Sequence, residues 1–260
     1  MILEVEKLSK IYKSGKGVKE ITFKLKEGEI LSILGPNGAG KTTILKCIVG
    51  LRKADSGIVN LDGDFSYLPE EKRLYRWAKV SQMIEITKSY VDIDDEKALK
   101  ILNDLRISPS EKVANLSHGQ ATSLYLALTL SQKADLYILD EPTWGLDPLS
   151  RSYILERVKE IPFEGKAVLY TSHITEEVEK TSDGVIIIRD GKMVESGYID
   201  DIKEKYVAVR TKKSEKIEGY LYKETSDEKI YIIEKDKAPR DFEPANFSMI
   251  VESLMRGVRS

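Results

Sequence analysis

The chain opens on alternating apolar and charged positions, Met1-Ile2-Leu3-Glu4-Val5-Glu6-Lys7, the period-two pattern of a strand with one buried face. Further strand-like runs occupy Ile21 to Leu25, Ile30 to Leu34, Leu136 to Leu139, Ala167 to Thr171 and Val185 to Ile188. Leu31-Ser32-Ile33-Leu34 and Leu136-Tyr137-Ile138-Leu139 are nearly continuously apolar, as strands covered on both faces must be. Helical stretches separate the runs, and Gly or Pro bounds several of them. Strands alternating with helices predict an α/β fold with a largely parallel sheet.

Two segments break this alternation. From about Arg73 to residue 134 the pattern is mainly helical, including Asp95 to Arg106 with Ala98, Leu99, Leu102 and Leu105 at helical spacing, and it predicts a helical insertion. After about Asp200 short alternating strands return at Gly219 to Tyr222 and Ile230 to Ile233, followed by a helix near Phe247 to Leu254. The expected organisation is therefore a main domain over 1–203 and a small C-terminal α+β module over 204–260.

Composition narrows the classes of function. With 260 residues there is room for one large α/β domain and an appendage. The 41 basic and 43 acidic residues are mixed along the chain and give a net charge of -2, so no basic field favours nucleic acid as a partner. The longest apolar runs, such as Leu124 to Leu130, fall far short of the roughly 20 residues needed to cross a bilayer. The start lacks the apolar centre of a signal peptide, which points to the cytoplasm. Cys47 is the one cysteine, excludes an intrachain disulfide and reads as core filler.

Chemistry enters at Gly35-Pro36-Asn37-Gly38-Ala39-Gly40-Lys41-Thr42, which fits G-x-x-x-x-G-K-[ST] between an apolar strand and the helix Thr43 to Val49. Glycines let such a loop fold into a nest of backbone N–H groups aimed at phosphate oxygens, at the positive end of the following helix. Lys41 then reaches the β- and γ-phosphates of ATP, Thr42 offers its hydroxyl to Mg²⁺, and Thr43 bonds a phosphate oxygen. A second apolar strand ends in Asp140-Glu141, which places two acids beside the loop. Asp140 is the candidate to hold Mg²⁺ through water, and Glu141 the candidate general base for the attacking water.

Leu116-Ser117-His118-Gly119-Gln120 resembles the L-S-G-G-Q signature of ATP-binding cassette (ABC) ATPases. The resemblance runs in order from Met1 to about Asp200: Tyr12 ahead of the phosphate loop, Tyr67-Leu68-Pro69-Glu70 as the Q-loop, the signature, Asp140-Glu141, Gly145-Leu146-Asp147 as the D-loop, Thr171-Ser172-His173 with the switch histidine, and a closing hairpin at Asp190 to Gly197. It implies a P-loop NTPase cassette with a RecA-like core, an antiparallel β subdomain shortened after Leu61-Asp62-Gly63, and a helical subdomain at about 73–134. It also implies that Tyr12 stacks on adenine, against the plain alternative of a Tyr half-buried at a strand edge. Glu70, with Glu71 as the adjacent alternative, stands at the Mg²⁺ and water position, and His173 contacts the γ-phosphate and steadies Glu141. Ser117, His118, Gly119 and Gln120 form a helix-start anion site facing the ATP of a second cassette, so hydrolysis requires a homodimer or heterodimer.

Three departures from the family pattern stand out: Glu70 replaces the usual Gln, His118 replaces the second signature residue, and Ala121, Thr122 and Ser123 replace the basic residues that normally follow. The Tyr-Leu-Pro-Glu-Glu sequence resembles cassettes of ABC-2 type exporters. The resemblance implies an ATPase subunit, peripheral on the inner face of the membrane, that powers a separate membrane-spanning permease. Leu74, Tyr75, Trp77 and Val80 lie where such a permease docks, or else serve internal packing. The alternatives are a soluble ABC ATPase outside transport and a regulatory cassette that hydrolyses weakly.

Overall fold

The computed structural model describes residues 1–215 and 217–258, so Lys216, Arg259 and Ser260 of the expected C-terminal module lie outside the described residues. β1 (Leu3–Ile11) and β2 (Gly17–Leu25) form an antiparallel pair, followed by β3 (Ile30–Leu34), α1 (Lys41–Ile48) and β4 (Ser56–Leu61). β4 returns antiparallel to the other edge of β1, which gives a three-stranded sheet in the order β2-β1-β4. The helical insertion lies between β5 (Phe65–Leu68) and the strand that follows it, and consists of α2 (Val80–Lys88), α3 (Asp95–Asp104) and α4 (His118–Leu130). Asp94 caps α3 by accepting from the Lys97 N–H at 2.9 Å.

The rest of the main domain is β6 (Leu136–Asp140), α5 (Pro148–Glu160), β7 (Ala167–Ser172), α6 (Thr175–Thr181), β8 (Gly184–Arg189) and β9 (Lys192–Tyr198). The central six-stranded sheet runs β5-β6-β7-β3-β8-β9, parallel except for β9, which turns back on β8 through Asp190-Gly191 with both φ angles positive. Every residue of β6 and β7 is buried, which explains their unbroken apolar character. Alternate side chains serve opposite layers: Leu136, Ile138 and Leu169 join α1 and the antiparallel sheet, while Tyr137, Leu139 and Tyr170 join the helical layer. The structure is thus an α/β domain whose mostly parallel sheet lies between an antiparallel sheet with α1 on one side and a helical layer on the other.

Residues 73–79, expected to open the helical subdomain, are not helical. Their backbone groups are used elsewhere: Ala78 and Arg76 carbonyls accept from Val113 and Ala114, and Val80 N–H donates to the Glu111 carbonyl. The cluster read from sequence at this point divides, with Val80 buried and Leu74 half-buried against the core, and Tyr75 and Trp77 exposed with ring centroids 5.8 Å apart.

Beyond β9 come α7 (Ile199–Lys205), β10 (Tyr206–Lys212), β11 (Tyr220–Glu224), β12 (Glu228–Glu234), β13 (Glu243–Pro244) and α8 (Phe247–Arg256). Their sheet is ordered β11-β12-β10-β13, and α7, β10 and β13 come in addition to the elements expected from sequence. Phe247, Ile250, Val251 and Leu254 of α8 belong to the same buried cluster as Val178 of α6 and Val185 and Ile187 of β8, and Arg189 Nη1 donates to the Leu254 carbonyl at 2.5 Å. The hydrophobic core therefore continues across residue 203.

Candidate functional site

The phosphate loop leaves β3, and Gly35 N–H donates to the Ser172 carbonyl at 3.3 Å, tying the loop to the end of β7. Gly40 has φ 109°, and a Cβ there would lie 2.3 Å from Val18 Cγ1, so this position admits glycine on both counts. The turn delivers Lys41, 6 % exposed, into the loop, where Nζ donates to the Gly35 carbonyl at 2.7 Å and approaches that of Pro36 at 3.4 Å. The start of α1 sets Thr42 and Thr43 beside it: Thr42 Oγ1 donates to Glu70 Oε2 at 3.3 Å, and Thr43 Oγ1 is 3.5 Å from the half-buried Tyr12 hydroxyl.

The two acids are arranged differently. Asp140 is fully buried; Thr171 Oγ1 donates to its Oδ1 at 2.7 Å, while its buried Oδ2 has no hydrogen-bond partner. Burial pushes the Asp140 carboxyl up and the Thr171 hydroxyl opposes that shift. Glu141 takes a left-handed backbone, φ 47°, and its N–H donates to Thr171 Oγ1 at 2.9 Å. This turn aims its carboxylate the other way, with Oε1 3.0 Å from Lys41 Nζ and Oε2 2.9 Å from His173 Nδ1. The Lys41 contact is an ion pair by distance without the alignment of a hydrogen bond.

A cleft of about 440 Å³ gathers Tyr12, Asn37, Gly38, Gly40, Lys41, Thr42, Thr43, Glu70, Glu141 and His173. That volume lies in the range of small-molecule sites. Pro36, Asn37, Gly38 and Ala39 also line the adjoining surface. Glu71 is directed to Arg73 in solvent at 2.9 Å, so of these two neighbours Glu70 is the one that lines the cleft. Ser14, Lys16, Lys72 and Trp144 line it too and were not singled out from sequence. Lys72 sits in the run Glu70-Glu71-Lys72-Arg73, which reads as solvated charge, yet it is half-buried. Burial pushes its ammonium down, against the charges of Asp140, Glu70 and Glu141.

The signature residues do not line this cleft. Ser117 caps α4: its Oγ accepts from the Gln120 N–H at 3.2 Å, and Gln120 Oε1 accepts from the Ser117 N–H at 2.9 Å. Gly119 sits so close to the D-loop that a Cβ would meet the Gly145 carbonyl at 2.9 Å. His118 packs edge-on against Trp144 with centroids 5.3 Å apart, so its ring turns to its own D-loop. Behind that loop, Glu177 of α6 is 7 % exposed, accepts from Thr143 Oγ1 at 2.8 Å and pairs with Arg151 Nε at 3.2 Å. Burial pushes the Glu177 carboxyl up, opposed by Thr143 and Arg151.

A nucleotide loop, an acid pair and a separate capped-helix signature define a P-loop ATPase cassette, and comparison with known proteins agrees. The chain matches the ABC transporter family model over residues 18–144. It is 34% identical over 242 residues to an uncharacterised ABC transporter ATP-binding protein of Methanocaldococcus jannaschii, covering 91% of both chains. It is also 34% identical to the SkfA peptide export ATP-binding protein SkfE of Bacillus subtilis, over 78% of this chain and 92% of that one. Among solved structures, an ATP-binding subunit of an ABC transporter superposes with a TM-score of 0.71 at 28% identity, covering 78% of this chain and 92% of that one. A cassette solved in a dimeric post-hydrolysis state with ADP and Pi shares the fold, with a TM-score of 0.67 at 24% identity over 76% of this chain and 98% of that one. The chain belongs to the ABC transporter ATP-binding family and is an ATP-binding subunit of an ABC transporter. Relatives of this kind do not favour a role outside transport.

Proposed function

We propose that this subunit hydrolyses ATP and that Glu141 is the general base. The carrying observation is the suspension of its carboxylate between Lys41 at 3.0 Å and His173 at 2.9 Å at the mouth of the cleft. Polyphosphate entering the loop competes for the Lys41 ammonium, which releases Glu141 Oε1 to take a water proton while His173 keeps Oε2 in place. Backbone N–H groups of the loop and the start of α1 would hold the β-phosphate, and Tyr12 would stack on adenine.

The donor set fits Mg²⁺, with the Thr42 hydroxyl, Glu70 and the unpartnered Asp140 Oδ2 all hard oxygens. Bound there, Mg²⁺ would neutralise charge on the β- and γ-phosphates as the terminal bond breaks. Among the described residues there is no cluster of three or more His, Cys, Asp or Glu able to hold a metal alone, consistent with an ion that shares its coordination with phosphate and water.

The signature completes the site in trans. Ser117 and the first N–H groups of α4 lie outside the subunit's own cleft, so they are available to the ATP of a second cassette. No described helix is long and apolar enough to cross a membrane, and a separate permease supplies that part. The exposed Tyr75 and Trp77 are the natural contact for it, which would hold the subunit against the inner face of the membrane. The SkfE relative is named for peptide export, and that supports an exporter. Residues 204–260 act as an accessory module resting on the ATPase.

The test is steady-state phosphate release by the purified subunit, alone and with its permease. The proposal expects turnover that Glu141→Gln abolishes while ATP binding survives. Turnover unchanged by that substitution would remove Glu141 from the role of base.

A further inference from the structure

Lys72 lines the same cleft as Lys41, Thr42, Glu70 and Glu141. It is half-buried, and the acids whose charge reaches it are Asp140, Glu70 and Glu141. A lysine so placed would ordinarily close on one of them, as Lys41 does on Glu141 at 3.0 Å. Lys72 makes no ion pair with any described residue, while Asp140 is bonded to Thr171, Glu70 to Thr42, and Glu141 lies against Lys41 and His173. A partly desolvated ammonium held inside a ligand cleft without a counter-ion is arranged for an anion that arrives with the ligand.

The charge count at this end of the cleft points the same way. Glu70 and Glu141 line the cleft and Asp140 is buried beside them, whereas the ion pair of Lys41 reaches Glu141 alone. A carboxylate at Glu70 adds one negative charge beside the phosphate that a neutral amide would not, even where it also reaches Mg²⁺, and a cation two residues along the same segment is placed to offset it. We infer that Lys72 is a second phosphate-binding cation of the ATP site, whose ammonium meets the terminal phosphate and offsets the charge of Glu70. This rests on the ATP-site reading above and adds to it a determinant of ATP over ADP, since ADP lacks the phosphate that Lys72 would meet.

The experiment is equilibrium binding of a non-hydrolysable ATP analogue and of ADP, each with Mg²⁺, to the full chain and to Lys72→Met, Lys72→Arg and Glu70→Gln/Lys72→Met, with melting temperatures recorded alongside. Loss of one charged contact to phosphate predicts that Lys72→Met weakens the analogue about tenfold and ADP less than about twofold. Lys72→Arg keeps the preference for the analogue, and Glu70→Gln/Lys72→Met recovers most of the lost affinity because the repulsion leaves with the cation. Equal weakening of both nucleotides, no change in either, or no recovery in the double variant each overturns the assignment. Failure of the unsubstituted chain to bind either nucleotide would instead sink the ATP-site reading itself.

Discussion

Thr171 is the residue whose removal tests the catalytic geometry most directly. It is fully buried at the end of β7, and its single hydroxyl serves both acids, donating to Asp140 Oδ1 at 2.7 Å and accepting from the Glu141 N–H at 2.9 Å. Thr171→Val keeps the shape and β-branching but deletes that hydroxyl, so no cavity term enters. The Glu141 N–H is left unpaired at about 1–3 kcal/mol, and the bond to the Asp140 carboxylate, worth about 1.5–3 kcal/mol, is lost. The sum is a destabilisation of about 2.5–6 kcal/mol, a large share of the roughly 5–15 kcal/mol of a typical domain. Both acids also lose their orienting contact, which predicts a fall in turnover of about tenfold or more. Urea unfolding gives the first quantity and phosphate release the second, with Thr171→Ser as the control that keeps the hydroxyl. Should Thr171→Val unfold within about 0.5 kcal/mol of the natural protein and turn over at full rate, the shared hydroxyl holds neither acid.

Other perturbations probe separate parts. Glu141→Gln should bind ATP, turn over slowly and accumulate as an ATP-bound dimer on size-exclusion chromatography, whereas a monomer throughout would count against the two-cassette site. Ser117→Arg should lose ATP-induced dimerisation while the monomer still binds nucleotide, and dimers at normal yield would rule out the signature in trans. Glu177→Gln keeps an acceptor for the Thr143 hydroxyl but cannot ionise. Burial raises the Glu177 carboxyl, so the unfolded chain sheds that proton first, and stability falls as pH climbs from the ordinary value near 4.5 through the raised one, then levels. The variant lacks that fall, so its advantage in melting temperature should open with rising pH, and parallel curves would refute the argument.

The parts of the site legible in the sequence are those whose chemistry is local. The loop from Gly35 to Thr42 and the pair Asp140-Glu141 announce themselves because strand, turn and functional group are contiguous. What escaped depends on contacts across the chain. Nothing near Thr171 indicates that its hydroxyl meets acids thirty residues earlier, and nothing around His118 places its ring on Trp144. The helical insertion was legible, yet its first residues were misread because the backbone of 76–80 pairs with 109–114 in place of closing a helix. α7 is only seven residues long, and Tyr206-Val207-Ala208-Val209 of β10 is buried without the alternation that marks a one-sided strand. Apolar pattern alone also could not divide Leu74 and Val80, which pack inward, from Tyr75 and Trp77, which do not.

The contact between His118 and Trp144 has an optical consequence. The chain has 2 tryptophans; Trp77 is 68 % exposed, while Trp144 lines the cleft proposed for ATP and touches His118 at the start of α4. A Trp77→Phe protein would therefore carry a single indole between the cleft and the start of α4, the two proposed half-sites. Its emission should respond once when nucleotide enters its own subunit and again when a second subunit closes over the signature, which would give each event its own kinetic trace without any added label.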